Sequence, residues 1–144
     1  MALKIDAIDH VQVTVPRSVE DEALRFYEGV LGLERIEKPE PLAGNGGGWY
    51  RLGAIELHVS PEDGDGAGRA SKRHVCYVVF DLKEAEAELV RQGVETIPDR
   101  QPIAGWARFY IRDPGGNRIE IAQRVAPARC QPLSDEGREC AKRP

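Results

Sequence analysis

The sequence predicts an α+β fold in which two paired βαβββ modules form a cupped, eight-stranded mixed sheet with the helices outside. The first observation is an internal repeat: Asp9–Val15 matches Arg73–Val79, and Ile55–Leu57 matches Ile119–Ile121, both at the same offset (74 − 10 = 64). A repeat at a fixed spacing indicates a duplicated unit. The second observation is the same order of one strand, one amphipathic helix and three short strands in each half. Packing two such units together is the simplest way to bury both apolar helix stripes.

In the first copy, alternating and short apolar runs predict strands at about 8–15, 33–37, 48–53 and 54–60. A stripe of apolar residues at helical spacing predicts a helix over about 19–31. Ser18 is its expected N-cap and Asp21 completes an approximate capping box. Gly32 follows as the residue that ends the helix.

In the second copy, strands are predicted at about 74–80, 94–98, 106–112 and 117–123, with a helix over about 82–92. Asp81 and Glu84 form its capping box, and Gly93 ends it. The segment Asp113–Asn117 predicts a tight turn, in which Pro114 presets φ and Gly115 takes the positive φ of a type II turn.

The composition fits one domain, residues 1–124, made of two modules at about 5–60 and 73–123, followed by an irregular tail at 125–144. The 144 residues carry a net charge of −4, which argues against a general nucleic-acid binder. No apolar stretch approaches the ~20 residues of a membrane span, and no signal peptide is visible. Three cysteines without a C-x-x-C pair favour a reducing cytoplasm.

Four residues of metal-binding type lie at matching positions of the two copies. His10 and His74 open equivalent strands, and Glu56 and Glu120 occupy equivalent later strands. If a pseudo-twofold axis relates the copies, two imidazoles and two carboxylates converge. This donor set suits a divalent cation and leaves two positions open for substrate or water.

His58 is an alternative ligand, because it lies two residues from Glu56 and therefore on the same strand face. The 64-residue offset pairs Glu56 with Glu120, whereas it pairs His58 with Ala122. The offset therefore favours Glu56 and predicts that Glu56→Gln weakens metal binding more than His58→Gln does. A strand bulge would reverse this choice.

Aromatic residues lie just before or on the strands of the predicted cup. Trp49, Trp106 and Tyr110 are candidates to line a substrate pocket, with ordinary packing as the alternative.

Two phrases are shared with a known family: F-Y-x-x-V-L-G-L at Phe26–Leu33 and D-P-x-G-N-x-x-E at Asp113–Glu120. With the two His-Val segments, they resemble the vicinal oxygen chelate superfamily over about residues 5–123. That superfamily includes glyoxalase I, bleomycin-resistance proteins and extradiol dioxygenases. The resemblance implies a homodimer and one divalent metal ion (Ni, Co, Fe, Mn or Zn) bound by His10, Glu56, His74 and Glu120.

The implied activity is that of a metal-dependent lyase, isomerase or dioxygenase whose small substrate chelates the metal through vicinal oxygens. Glu56 or Glu120 is the candidate general base. We expect one chain to supply the full ligand set, with no nucleic-acid or membrane partner. The alternatives are a non-catalytic, drug-sequestering resistance protein and a thiol transferase that acts on an antibiotic.

Overall fold

The first module is a four-stranded mixed sheet with a helical segment between its first two strands. In this computed structural model, which describes residues 2–68 and 70–125, the strands are β1 (His10–Pro16), β2 (Arg35–Ile36), β3 (Gly48–Leu52) and β4 (Ile55–Glu62). Short 3-10 turns cover Arg17–Val19 and Glu40–Asn45. The strand order is β1-β4-β3-β2, with β1 parallel to β4.

The second module repeats this topology. Its strands are β5 (His74–Val78), β6 (Ile97–Pro98), β7 (Trp106–Arg112) and β8 (Arg118–Arg124), in the order β5-β8-β7-β6. Here too the first strand runs parallel to the last. The predicted duplication and the predicted eight strands are confirmed, and among the described residues the strands form two separate four-stranded sheets.

The helix of the second module, α2 (Leu82–Arg91), begins as the sequence predicts. The Asp81 carboxylate accepts a hydrogen bond from the backbone N–H of Glu84 at 3.0 Å, which satisfies one of the free donors of the first turn. Gly93, with φ of 78°, follows the helix. Its left-handed conformation is the one that ends many helices.

The helix of the first module differs from the prediction. Ser18 lies inside the 3-10 turn, so α1 (Glu20–Arg25) begins with Val19 as its N-cap and no side-chain cap. A π-helical turn (Phe26–Val30) continues it, with the N–H of Leu31 bonded to the carbonyl of Phe26 at 2.9 Å. This wider turn leaves both Phe26 and Tyr27 buried.

The turn between β7 and β8 also differs in detail. The N–H of Gly116 donates to the carbonyl of Asp113 at 2.9 Å, and the positive φ (84°) falls on Gly116 and not on Gly115. Glycine at the fourth position is typical of a type I turn, not the predicted type II. Gly115 is small for another reason, since a Cβ there would lie 2.7 Å from a Val15 methyl group.

A single core joins the modules. Buried residues from both sheets form one cluster that includes Tyr27, Leu57, Phe109 and Ile121. Within the described ranges, no helix has the length and apolarity that crossing a membrane requires. Of the predicted tail, 126–144 lie outside the described residues.

Candidate metal centre

The concave face of the first sheet carries polar residues in two rows. A row consists of the residues that pair with one another across neighbouring strands. Side chains paired in this way lie side by side on one face. The first row is His10, Glu56 and Arg51, and the second row is Gln12, His58 and Trp49.

The second sheet has corresponding rows. Its first row is His74, Arg118 and Arg112, and its second row is Cys76, Glu120 and Tyr110. The histidines that open β1 and β5 are therefore equivalent in space as well as in sequence.

The strand register makes His58, and not Glu56, the counterpart of Glu120. His10 pairs with Glu56, whereas His74 pairs with Arg118. Between the modules, β1 and β5 thus differ by 64 residues (74 − 10) but β4 and β8 by 62 (118 − 56). The sequence alignment assumed the same 64-residue offset for both strand pairs, but the offset between β4 and β8 is two residues smaller. A shift of two residues leaves each side chain on the same face of its strand and moves it to the neighbouring row. The sequence offset that favoured Glu56 over His58 is therefore not the register of the folded strands.

His58 lies in a confined position. Only 4% of the residue is exposed, and its ring stacks on that of Trp49 with centroids 3.7 Å apart and an interplanar angle of 5°. The ring of His10 stacks at 4.2 Å and 16°. The Nε2 atom of His58 lies 2.9 Å from Oε2 of Glu56.

Hydrogen bonds fix the ring orientation of both row-opening histidines. Nδ1 of His10 lies 2.8 Å from the Asp9 carboxylate, and Nδ1 of His74 lies 2.8 Å from the Lys72 carbonyl. Because these oxygens only accept, each Nδ1 carries the proton and Nε2 is the ligand-type atom. Metal-binding histidines in proteins use this kind of support.

Glu120 is the buried carboxylate of the second sheet, with 7% of the residue exposed. Its Oε2 lies 3.1 Å from Nε2 of His74, and Nη1 of Arg108 donates to its Oε1 at 3.4 Å. Arg108 is itself held by Asp99 at 2.8 Å, and this hydrogen bond lowers the pKa of the Asp99 carboxyl.

Arg108 is a further residue of this site. The structure leaves only 15% of its side chain exposed and places it between Asp99 and Glu120. Its position on β7, two residues from Tyr110 and hence on the concave face, was the available signal.

The predicted ligands come together in two groups and not in one. His10, Glu56 and His58 gather on the first sheet, and His74 and Glu120 on the second. Within residues 2–68 and 70–125, no group of three or more His, Cys, Asp or Glu side chains has a geometry that could hold a metal ion. The four-ligand assignment therefore stays a prediction.

The three aromatic candidates take different positions. Trp49 stacks on His58, Tyr110 lies under the guanidinium of Arg118 at 4.0 Å, and Trp106 lies under that of Arg124 at 5.1 Å. None of them lines the main cavity between the modules, so a pocket role for them stays a prediction.

The fold and this concave face define a protein built from paired βαβββ modules. The chain belongs to the Glyoxalase/Bleomycin resistance protein/Dioxygenase superfamily, whose family model matches residues 7–121.

Among solved structures, it is similar to a putative glyoxalase family protein from Bacillus anthracis, with 39% identity, a TM-score of 0.75, and coverage of 87% of this chain and 100% of that one. It is 28% identical to the virulence protein STM3117 of Salmonella typhimurium, covering 84% of this chain and 86% of that protein. It is 29% identical to Glyoxylase I 4 of Arabidopsis thaliana, covering 83% and 71%.

Proposed function

We propose that this protein is a divalent-metal-dependent enzyme of the glyoxalase type, with a metal held by His10, His58, His74 and Glu120. The observation that carries the proposal is the pair formed by His74 and Glu120. When Nδ1 of His74 donates to the Lys72 carbonyl, Nε2 is the ring atom that faces the Glu120 carboxylate, at 3.1 Å. A divalent cation bound between them would take the lone pair of a neutral imidazole and the charge of a carboxylate.

The donor chemistry and spacing fit such a cation. A nitrogen and an oxygen bound side by side at about 2.1 Å to one ion lie about 3 Å apart. The separation of His74 Nε2 from Glu120 Oε2, 3.1 Å, matches this value. Imidazole and carboxylate together suit borderline divalent ions.

When bound, the metal supplies Lewis-acid stabilisation of negative charge on vicinal substrate oxygens. Glu56 is the residue placed to take up a substrate proton, because its side chain is 40% exposed and its Oε2 lies beside Nε2 of His58. Arg108 fixes the orientation of Glu120 through Oε1. The similarity to a protein named Glyoxylase I 4 supports a glyoxalase-type reaction.

The proposal includes a homodimer with a shared site, in place of the expectation that one chain supplies the full ligand set, because the two donor groups lie on different sheets of one chain. A second copy that places its β5–β8 face against the β1–β4 face of the first completes the ligand set. Val78 and Phe80, 60% and 97% exposed, continue the β5 side of that face. Burying such apolar side chains favours association.

Elemental analysis after divalent loading tests the metal. The expected result is about one ion per chain, with most of it lost in His74→Gln and Glu120→Gln. Glu62→Gln, on the same face of β4 as Glu56 but hydrogen-bonded to Thr14, is the matched control and keeps the metal. Failure of the wild type to hold stoichiometric metal overturns the proposal.

Calorimetric titration then separates the two first-module candidates. In this titration, His58→Gln is expected to lose metal affinity and Glu56→Gln is expected to retain it. An activity assay of Glu56→Gln is expected to show the loss of turnover. The reverse result would return the ligand role to Glu56 and favour the sequence offset over the strand register.

Mixing two inactive variants tests the shared site. A His58→Gln chain mixed with a His74→Gln chain is expected to regain metal at the sites that combine two unmutated faces. Sedimentation that shows only monomers at micromolar concentration contradicts the shared arrangement.

A further inference from the structure

A cavity of about 470 Å³ lies between the two modules and borders the second donor group at His74. The free edges of β1 and β5 form two of its sides, and the linker residues Gly66, Ala67, Gly68 and Ser71 form another. Its apolar wall comes from Val11, Val13, Val75, Tyr77 and Ile119. A cavity of this size accepts a small organic molecule.

The charged side chains that line this cavity are predominantly cationic. Arg73, Arg112 and Arg118 line it together with His74, while Glu62 is the carboxylate among the described lining residues. Glu62 is already engaged, because its Oε1 accepts from the Thr14 hydroxyl at 2.6 Å.

Two of the arginines are positioned by neutral groups. Nε of Arg73 lies 3.3 Å from the Ser71 hydroxyl, and the guanidinium of Arg118 lies 4.0 Å from the centre of the Tyr110 ring. Neither forms an ion pair with any residue that the structure describes. Arg112 donates to the Gly116 carbonyl at 2.8 Å.

We propose that this cavity binds the anionic group of a small organic molecule, a carboxylate or a phosphate-type oxyanion, between Arg73 and Arg118. Like charges that share an apolar-walled cavity concentrate positive potential there, which attracts an anion. The guanidinium fork matches carboxylate and phosphate oxygens in pairs. The apolar wall accommodates the remainder of the molecule.

The position of the cavity connects it to the donor groups. Arg118 lies beside His74 in the first row of the second sheet, and Glu120 lies in the next row. An anion held by Arg118 would therefore lie in the row of His74 and one row from Glu120. The inference that the substrate carries an anionic group rests on the proposed function. The inference that the cavity binds an anion does not depend on it.

The experiment titrates the full-length chain, stripped of metal by a chelator, with acetate and with inorganic phosphate at low ionic strength. Isothermal calorimetry is expected to show saturable binding of one of them at one site per chain. The preferred anion decides between a carboxylate and a phosphate-type ligand. Low salt is needed because exposed charges are screened at higher ionic strength.

Three variants test the site. Arg118→Met and Arg73→Met are each expected to weaken binding about tenfold, the loss equivalent to about 1.4 kcal/mol. Arg124→Met is the matched control, since Arg124 also lies on β8 over an aromatic ring but does not line the cavity. It is expected to leave the affinity unchanged. Arg73→Met keeps the test valid if Arg118→Met does not fold.

Two results overturn this inference. One is the absence of saturable binding for both anions, and the other is an equal loss of affinity in the Arg124→Met control, which indicates non-specific charge attraction. Because the titration is done without metal, its outcome is independent of the metal analysis. If the stripped chain binds the anion but the wild type holds no stoichiometric metal after divalent loading, the proposed function is refuted and this site remains intact.

Discussion

Asp113 is the residue whose removal should most destabilise the contact between the modules. Its carboxylate is buried and accepts three hydrogen bonds: from the Tyr27 hydroxyl at 2.7 Å, and from the backbone N–H and side-chain amide of Asn117, both at 2.8 Å. The same amide also donates to the Thr14 carbonyl on β1. One side chain therefore connects the helical segment of the first module to the turn of the second.

The magnitude follows from the donors left behind. Asp113→Ala leaves the Tyr27 hydroxyl, in a residue only 1% exposed, and the Asn117 N–H without this acceptor. An unsatisfied buried donor costs about 1–3 kcal/mol. We therefore expect Asp113→Ala to lower the free energy of unfolding by about 3–5 kcal/mol. This is a large part of the roughly 5–15 kcal/mol that stabilises a typical domain.

Urea denaturation at neutral pH measures the effect, read as a lower midpoint with an unchanged slope. Tyr27→Phe should cost about 1–2 kcal/mol, since the carboxylate keeps its two donors from Asn117. A double-mutant cycle of Asp113→Ala and Tyr27→Phe should give a coupling free energy of about 1–2 kcal/mol between the two side chains. Asp63→Ala is the surface control, because that side chain is 94% exposed, and should cost under about 0.5 kcal/mol. A loss below about 1 kcal/mol for Asp113→Ala, or no coupling with Tyr27, would refute the reasoning.

The other predictions concern a glycine, the tyrosines and a ring stack. Gly47→Ala should cost more than about 2 kcal/mol, because a Cβ there would lie 2.1 Å from the Val59 carbonyl oxygen at a φ of 73°. Gly53→Ala, also at positive φ but in open space, should cost about 1 kcal/mol in the same urea assay. Burial is the leading cause that raises the pKa of all four tyrosines above 10.0. The unfolded chain therefore loses these protons first, so stability should be fully present below pH 10 and decline above it. Tyrosinate absorbance that rises before the circular dichroism changes would contradict this. Trp49→Leu should weaken metal binding and Trp49→Phe should retain it, because an aromatic ring at this position stacks on His58 and holds its orientation. Equal metal affinities in the two variants would exclude this role of Trp49.

Most of the strand order could be predicted from the sequence, because alternation and capping are local signals. The strand β7 was predicted with its observed bounds, and the Asp81 cap was predicted with its partner. The first helix was less predictable. A single π-helical turn at the end of a short helix leaves no separate signal in an apolar stripe of α-helical period. The 3-10 turn that contains Ser18 directly follows Pro16.

The candidate site was predicted as a set of residues but not as a set of neighbours. The histidines and Glu120 lie on the concave face as expected, yet the pairing of β1 with β4 depends on hydrogen bonds between distant segments. Those bonds differ by two residues from the pairing of β5 with β8. Because a shift of two preserves the face, no sequence periodicity could reveal it.

This two-residue slip also makes the two halves of the cup chemically different. The row position that holds Glu56 in the first module holds Arg118 in the second. A strict duplicate would place a carboxylate at both positions. The observed pair carries opposite charges, so the first sheet presents an acidic group where the second presents a cationic one. A duplicated fold thereby presents chemically different groups at equivalent positions of its two sheets.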